Sequence, residues 1–207
     1  MKLVCLSDTH MKLDKVKVPE ADILLHAGDL TFQGTIPEIG KELNKLSKIN
    51  IKHKVIVAGN HDWLFQREPS LAKQMCEDNG LIYLQDSMVE IDGLKIYGSP
   101  WQPFFCNWAF NLFSKELKEK WDLIPKGIDV LITHGPPMGI LDTSFEKKDL
   151  GCKYLFDKVM EIKPKLHVFG HIHYSYGMKT FNDVKFVNAS ICDESYKPTN
   201  SPWSIEL

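Results

Sequence analysis

The chain has 207 residues, of which 43% are hydrophobic, so it is long enough for one sizeable core and short for two independent domains. Its 25 Lys and Arg residues against 27 Asp and Glu residues give a formal net charge of -2, which excludes a general attraction to nucleic-acid polymers or anionic membranes. We therefore expect a single domain over residues 1–207 in which any binding of phosphate is local.

The amino-terminal run LVCL is too short for the apolar centre of a signal peptide, and no run approaches the roughly 20 apolar residues of a membrane helix. The five cysteines are scattered and lack CxxC spacing, which argues against a disulfide framework and against a thiolate zinc site. A soluble, cytoplasmic protein is the expectation. The oligomeric state stays open.

Short apolar runs at 3–6, 22–27, 54–58, 129–133 and 165–170 are typical of buried strands. Apolar residues at helical spacing lie between several of these runs, over 36–49 and over 150–162. Strands that alternate with helices predict an α/β layered fold.

Two further regions, 81–99 and 174–207, contain short strands separated by turn residues, and Asn182 and Asp183 indicate a hairpin. We expect two mixed sheets packed face to face as a sandwich, with helices outside. The Lys- and Glu-rich run 114–122 has helical spacing and is expected to form a solvated helix face without a functional role.

Polar side chains follow each of the five apolar strands. In open α/β sheets, ligands bind beyond the carboxyl ends of the strands, so residues far apart in sequence can converge there. The side chains are Asp8 and His10 in SDTH, Asp29 in HAGDL, Asn60, His61 and Asp62 in AGNHD, His134 in THGPP, and His171 and His173 in GHIH.

Each of these short motifs has an ordinary explanation when it is taken alone. Asp29 after a glycine can shape a turn, Asn60 can adopt a left-handed turn conformation, and His134 can be a loop residue. Turn chemistry gives no reason for five of the eight histidines to collect at strand ends, however. The set as a whole therefore favours a shared function.

Metal binding supplies that function, because imidazole nitrogens together with carboxylate and amide oxygens suit manganese, iron or zinc. One residue separates Asp8 from His10 and His171 from His173, which would place each pair on one face of an extended backbone. The other three histidines, His26, His53 and His167, lie in or beside apolar runs and are interpreted as structural.

In this order, the motifs DxH, GD, GNHD, H with a following GPP, and GHxH resemble those of the calcineurin-like metallophosphoesterase superfamily, over Asp8 to His173. Stretches such as HAGDLT, YGSPWQP and KLHVFGHIH, with the carboxyl-terminal SPWSIEL, more narrowly resemble the metallophosphoesterase-domain-containing family, which has phosphodiesterase members. The resemblance implies a four-layer α-β-β-α fold.

The resemblance also implies two divalent cations, with manganese expected and iron or zinc as alternatives. Asp29 would bridge the two. The remaining ligands would be Asp8, His10 and His173 for the first cation, and Asn60, His134 and His171 for the second.

Two further roles follow from the resemblance. His61 would donate a proton to the leaving oxygen or steady its charge, and Asp62 would orient the His61 imidazole. A hydroxide between the two cations would attack phosphorus. The implied activity is hydrolysis of a small phosphate diester, with a cyclic nucleotide as the expected substrate.

The segment SPWQPFFCNWAFNLF, residues 99–113, is rich in aromatic side chains. Near a metal site it could stack a nucleobase or roof the pocket, and it could equally be a hydrophobic lid or core. Trp101, Asn107 and Trp108 are the substrate-binding candidates. Other functions consistent with the sequence are a phosphomonoesterase or protein phosphatase with the same metals, and a metal-binding interaction module.

Overall fold

Two β-sheets form the centre of the protein, in a computed structural model that describes residues 1–207. The first sheet contains β1 (Lys2–Leu6), β2 (Ile23–Ala27), β3 (His53–Val57), β4 (Ile82–Tyr83) and β13 (Trp203–Glu206). They lie in the order β13-β1-β2-β3-β4, and all neighbours are parallel except the antiparallel pair β13 and β1.

The second sheet has six strands, four of them parallel at its centre and one antiparallel strand at each edge. A separate pair of two-residue strands, β7 (Gln102–Pro103) and β8 (Asn111–Leu112), lies in the aromatic segment. In spatial order, the six strands are β11 (Gly177–Phe181), β12 (Val184–Asn188), β10 (Leu166–Phe169), β9 (Val130–Thr133), β6 (Leu94–Ser99) and β5 (Ser87–Ile91). The prediction of two mixed sheets is confirmed.

Five helices cover the outer faces of the sheets. The region 63–78 carries two helices that the sequence analysis did not predict. The five are α1 (Ile36–Ser47), α2 (Trp63–Arg67), α3 (Pro69–Asp78), α4 (Ser114–Asp122) and α5 (Lys153–Ile162).

Successive side chains of a strand point to opposite faces, and β1 shows how this builds the layers. Leu3 and Cys5 enter the apolar core between the two sheets, whereas Val4 and Leu6 enter a second core beneath α1, α2 and α3. A third core, containing Trp121 of α4, fills the space between the second sheet and α4 and α5. These three cores separate four layers, α-β-β-α, as the family resemblance implies.

Local sequence accounts for one helix cap and one hairpin turn. Thr35 and Glu38 form a capping box at the start of α1. Asn182 and Asp183, both with positive φ, connect β11 and β12 through a two-residue turn. The predicted hairpin is therefore confirmed.

The carboxyl ends of the parallel strands of both sheets meet at one edge of the sandwich. The backbone of Ser7, just after β1, hydrogen-bonds to Ala189 and Ile191, just after β12. The loops that follow β1, β2, β3, β9 and β10 consequently face one another. No helix combines the length and the apolarity needed to cross a bilayer.

Candidate metal centre

Acidic and imidazole side chains from these loops form one continuous cluster. Within each of three overlapping groups, the potential ligand atoms lie within 4.8 Å of one another. Asp29 belongs to two of the groups and links the loops of both sheets. The groups are Asp8, His10 and His173; His10, Asp29 and His61; and Asp29, His134 and His171.

The backbone brings these residues together through tight turns. Asp8, His10, Asp29 and His171 have φ values of 51°, 38°, 53° and 67°, in the left-handed region that non-glycine residues seldom adopt. The expectation that the pairs DxH and HxH lie on extended backbone is therefore wrong. Such left-handed positions cluster at functional sites, where the surrounding structure enforces them.

Four histidines of the cluster are held in the same way, by a backbone carbonyl oxygen close to Nδ1. A carbonyl oxygen only accepts hydrogen bonds, so Nδ1 carries the hydrogen and Nε2 is directed into the cluster. The Nδ1-to-oxygen distances are 3.0 Å for His10 to Thr31, 2.7 Å for His61 to Phe32, 2.9 Å for His134 to Ala27 and 3.0 Å for His173 to Asp193.

The Nε2 atoms face carboxylate oxygens. Nε2 of His134 lies 3.4 Å from Oδ2 of Asp29, and Nε2 of His173 lies 3.3 Å from Oδ1 of Asp8. Nε2 of His10 is buried without a hydrogen-bond partner, 3.8 Å from Oδ2 of Asp29. A buried polar atom is normally satisfied, so the orphaned Nε2 of His10 indicates a missing ligand.

The charges of the cluster favour a bound cation. Burial opposes ionisation of Asp29 and Asp8, but neighbouring imidazoles, chiefly His134 for Asp29 and His173 for Asp8, lower the pKa of each carboxyl below its ordinary value. Burial likewise opposes protonation of His134 and His173, yet the facing carboxylates raise both pKa values to about 9. The cluster therefore attracts positive charge, supplied by protons or metal ions.

The donor set fits two divalent cations. Mixed nitrogen and oxygen ligands suit manganese, iron or zinc. Oδ1 of Asn60 lies 2.9 Å from Nε2 of His134, so the amide belongs to the same face of the cluster. All seven ligand candidates from the sequence are brought together: Asp8, His10, Asp29, Asn60, His134, His171 and His173.

Two motif glycines permit this close packing. A Cβ atom at Gly59 would overlap the Asp29 carboxylate, and a Cβ atom at Gly170 would overlap the Asp8 carboxylate and the side chain of Ser7. Glycine is thus required at both positions because a carboxylate of the cluster occupies the space of the missing side chain.

The Asp62 carboxylate makes no hydrogen bond or ion pair with the His61 imidazole, so the structure shows no direct contact for the role that the resemblance assigns to Asp62. Its carboxylate accepts hydrogen bonds from the backbone N–H groups of Leu30, Thr31 and Gly59, at 3.2, 3.1 and 2.9 Å, and from the Thr31 hydroxyl at 2.8 Å. Asp62 therefore ties the loop after β2 to the loop after β3.

A cleft of about 830 Å³ opens onto the cluster. Of the three substrate-binding candidates, only Trp108 lines it, with its ring 4.2 Å from the His61 ring. Trp101 instead donates a hydrogen bond to Asp86 at 2.8 Å, and Asn107 is exposed outside the cleft. The aromatic segment is thus partly a cleft wall and partly anchored away from it.

The site also contains residues that the motifs of the sequence do not indicate. Phe145 and Tyr174 meet edge to face at a ring distance of 5.8 Å, and Tyr196 reaches the metal cluster. Deeper in the site, Oγ of Ser190 lies 2.8 Å from Oδ2 of Asp8. The three aromatic residues carry no motif, and nothing in their local sequence distinguishes them from other surface aromatic residues. Ser190 lies in the stretch NAS, residues 188–190, which belongs to the resemblance to the metallophosphoesterase-domain-containing family.

A sequence model described as "Calcineurin-like phosphoesterase" matches residues 1–175. The human protein named "Metallophosphoesterase domain-containing protein 1" is 42% identical over 230 residues, an alignment that covers 100% of this chain and 71% of the human protein. The mouse protein of the same name gives the same values.

Two solved structures share the fold at low sequence identity. The protein TT1561 of Thermus thermophilus has a TM-score of 0.61 at 14% identity and covers 90% of this chain and 88% of its own. GAP50, the anchor in the inner membrane complex of Plasmodium, has a TM-score of 0.54 at 11% identity, with coverages of 92% and 71%. These likenesses support the architecture alone.

Proposed function

The chain belongs to the calcineurin-like phosphoesterase family, a family of metal-dependent hydrolases, and from this we propose that it is a phosphodiesterase acting on a small diester. A cyclic nucleotide is the expected substrate and manganese the expected metal. The proposal further includes a cytoplasmic location, which the five free cysteines support.

The charges of the side chains that line the cleft favour a phosphodiester over a phosphomonoester. Beyond the metal cluster, the one basic side chain that lines the cleft is Lys148, whose Nζ lies 2.6 Å from Oε2 of Glu146. Glu146 and Glu194 also line it and add negative charge. A phosphomonoester dianion would find little compensation there, whereas a diester carries a single negative charge.

The aromatic walls support a substrate with a planar group. Four of the aromatic residues that line the cleft are Phe105, Trp108, Phe145 and Tyr174. Aromatic side chains stack on nucleobases with little sequence preference, at roughly 1–3 kcal/mol per base.

When bound, two divalent cations would supply an activated water and positive charge for the phosphoryl oxygens. The residues that would hold them are Asp8, His10, Asp29, Asn60, His134, His171 and His173. The chain's own contribution to the chemistry is the placement of His61. The Phe32 carbonyl fixes its Nδ1 hydrogen, Trp108 packs on its ring, and Nε2 lies 4.0 Å from Oδ2 of Asp29. His61 is thereby set to donate a proton from Nε2 to the leaving oxygen, which makes an alkoxide a better leaving group.

Steady-state kinetics on a phosphodiester panel test this proposal. The protein loaded with manganese, iron or zinc is compared with a metal-free sample on 2′,3′- and 3′,5′-cyclic nucleotides, bis(p-nitrophenyl) phosphate and p-nitrophenyl phosphate. We expect about two metal ions per chain and metal-dependent turnover of diesters. Clear preference for p-nitrophenyl phosphate would establish a phosphomonoesterase instead, and no turnover with two bound metals would favour an interaction module.

A further inference from the structure

The turn of residues 193–197 lies beyond the part of the chain that the family model matches, yet it is built into the metal cluster. The carbonyl oxygen of Asp193 holds Nδ1 of His173 at 3.0 Å. The Asp193 carboxylate in turn accepts hydrogen bonds from the backbone N–H groups of Ser195 and Lys197, at 2.9 and 3.0 Å. The turn is therefore fixed to a metal-ligand candidate.

This turn places Tyr196 over the cluster, with a left-handed backbone at φ 57°. Its ring stands edge-on to three imidazoles, with centroid distances of 4.7 Å to His10, 5.8 Å to His173 and 6.3 Å to His61. The Phe32 ring lies 5.3 Å from the Tyr196 ring and 5.3 Å from the His10 ring, so the three rings pack against one another. Tyr196 thus occupies the space next to the position where a phosphoryl group must bind.

The Tyr196 hydroxyl makes no hydrogen bond within the protein. The hydroxyls of Tyr83 and Tyr176 donate to Gln85 and Ser201, at 2.7 and 2.8 Å, whereas those of Tyr97, Tyr154 and Tyr174 also make no hydrogen bond. Among the tyrosines, Tyr196 is distinguished by its ring contacts with three imidazoles of the cluster. A tyrosine that packs its ring against a site normally finds a partner for its polar end. Tyr196 is 39% exposed and lines the cleft, so a bound ligand can reach its hydroxyl.

We propose that Tyr196 is a substrate-binding residue whose hydroxyl donates a hydrogen bond to a non-bridging phosphoryl oxygen. A phenol is neutral at pH 7, because its ordinary pKa is about 10, and it can therefore donate. The inference rests on the proposed phosphoester chemistry of this site, but it holds equally for a diester and a monoester, since both carry non-bridging oxygens. Tyr196 contacts the phosphoryl group in this proposal, whereas His61 donates a proton to the leaving oxygen.

The test compares Tyr196→Phe with wild type and with Tyr154→Phe, a control on the exposed side of α5 that does not line the cleft. Binding of inorganic phosphate to the manganese-loaded proteins is measured by calorimetry, and metal content by elemental analysis. We expect Tyr196→Phe to weaken phosphate binding by about 10-fold or more while both metals stay, because a hydrogen bond to a charged oxygen is lost. Tyr154→Phe should match wild type.

Kinetics with methyl p-nitrophenyl phosphate and methyl phenyl phosphate add a second readout. Loss of a contact to a non-bridging oxygen should lower kcat/KM by a similar factor for both substrates. His61→Ala should lower kcat/KM more for methyl phenyl phosphate, because phenolate is the poorer leaving group. Unchanged phosphate affinity, loss of metal, or an effect that grows with the pKa of the leaving group would each overturn the assignment. If the wild-type protein does not hydrolyse diesters, only the phosphodiesterase proposal fails, because the phosphate affinity of the variants still tests the role of Tyr196.

Discussion

The Nδ1 atom of His61 lies 2.7 Å from the carbonyl oxygen of Phe32, which fixes the imidazole with Nε2 towards the metal cluster. The Phe32 ring at the same time stacks on the His10 ring at a centroid distance of 5.3 Å. One residue of the loop after β2 therefore orients the proposed proton donor through its backbone and supports a ligand candidate through its side chain.

We expect His61→Ala to lower kcat by roughly 10²–10⁴-fold, because it removes the proton donor to the leaving oxygen. Metal content should stay at the wild-type level, since each proposed cation keeps all of its proposed ligands. Steady-state kinetics and elemental analysis check both statements. His61 shares a cluster with His10 and Asp29, so loss of metal would show that it is a ligand.

Asp62→Asn should destabilise the fold by about 1–3 kcal/mol, because the amide group would face backbone N–H groups and leave a buried donor unpaired. Metal affinity should fall too, as the loops that carry Asp29 and Asn60 lose their common anchor. Urea unfolding and metal titration measure these effects, with Asp14→Asn on the surface as a control. Normal stability with reduced turnover alone would restore a direct role for Asp62 on His61.

Gly170→Ala should weaken metal binding by roughly 10-fold or more, because its Cβ would displace the Asp8 carboxylate from its position. Gly40→Ala is the matched control: a Cβ there meets only Cε of Met75, at 3.6 Å. Titration with manganese, followed by elemental analysis, distinguishes the two variants. Equal metal affinity in the two would show that the loop after β10 adapts without moving Asp8.

His167 should make the protein sensitive to acid. Its Nε2 lies 2.8 Å from Oγ1 of Thr133, and burial lowers its pKa from the ordinary 6.5 to about 3. Below pH 6.5 the histidine is protonated in the unfolded chain but not in the folded chain, so the unfolding free energy decreases as the pH is lowered. His167→Gln keeps a donor for Thr133 and removes this titration.

Between pH 6.5 and pH 5.0 we expect wild type to lose about 1.6 kcal/mol more unfolding free energy than His167→Gln, because the unfolded histidine is half protonated at pH 6.5 and almost fully protonated at pH 5.0. Urea unfolding of both proteins at several pH values measures the difference, and groups that they share cancel. Parallel curves would mean that His167 is protonated in the folded protein.

The sequence determined the layered fold and the ligand candidates. Buried strands need alternating or continuous apolar residues, so β1 to β3, β9 and β10 are visible as patterns, and a polar residue after each strand is visible too. Since parallel strands of one sheet share a carboxyl edge, the convergence of the loops after β1, β2 and β3 follows from strand order. Asp8 and His171, 163 residues apart, follow strands of different sheets and meet because the two sheets pack with these edges on the same side.

The tertiary structure decided what holds those side chains. Phe32 acts through a carbonyl group that every residue possesses, so no residue type marks it, and Asp62 bonds to backbone N–H groups of a loop about 30 residues away. Trp101 and Trp108 share one aromatic segment, but a carboxylate on another loop holds only Trp101 away from the cleft. Such pairings depend on distances between loops, which local composition and periodicity do not encode.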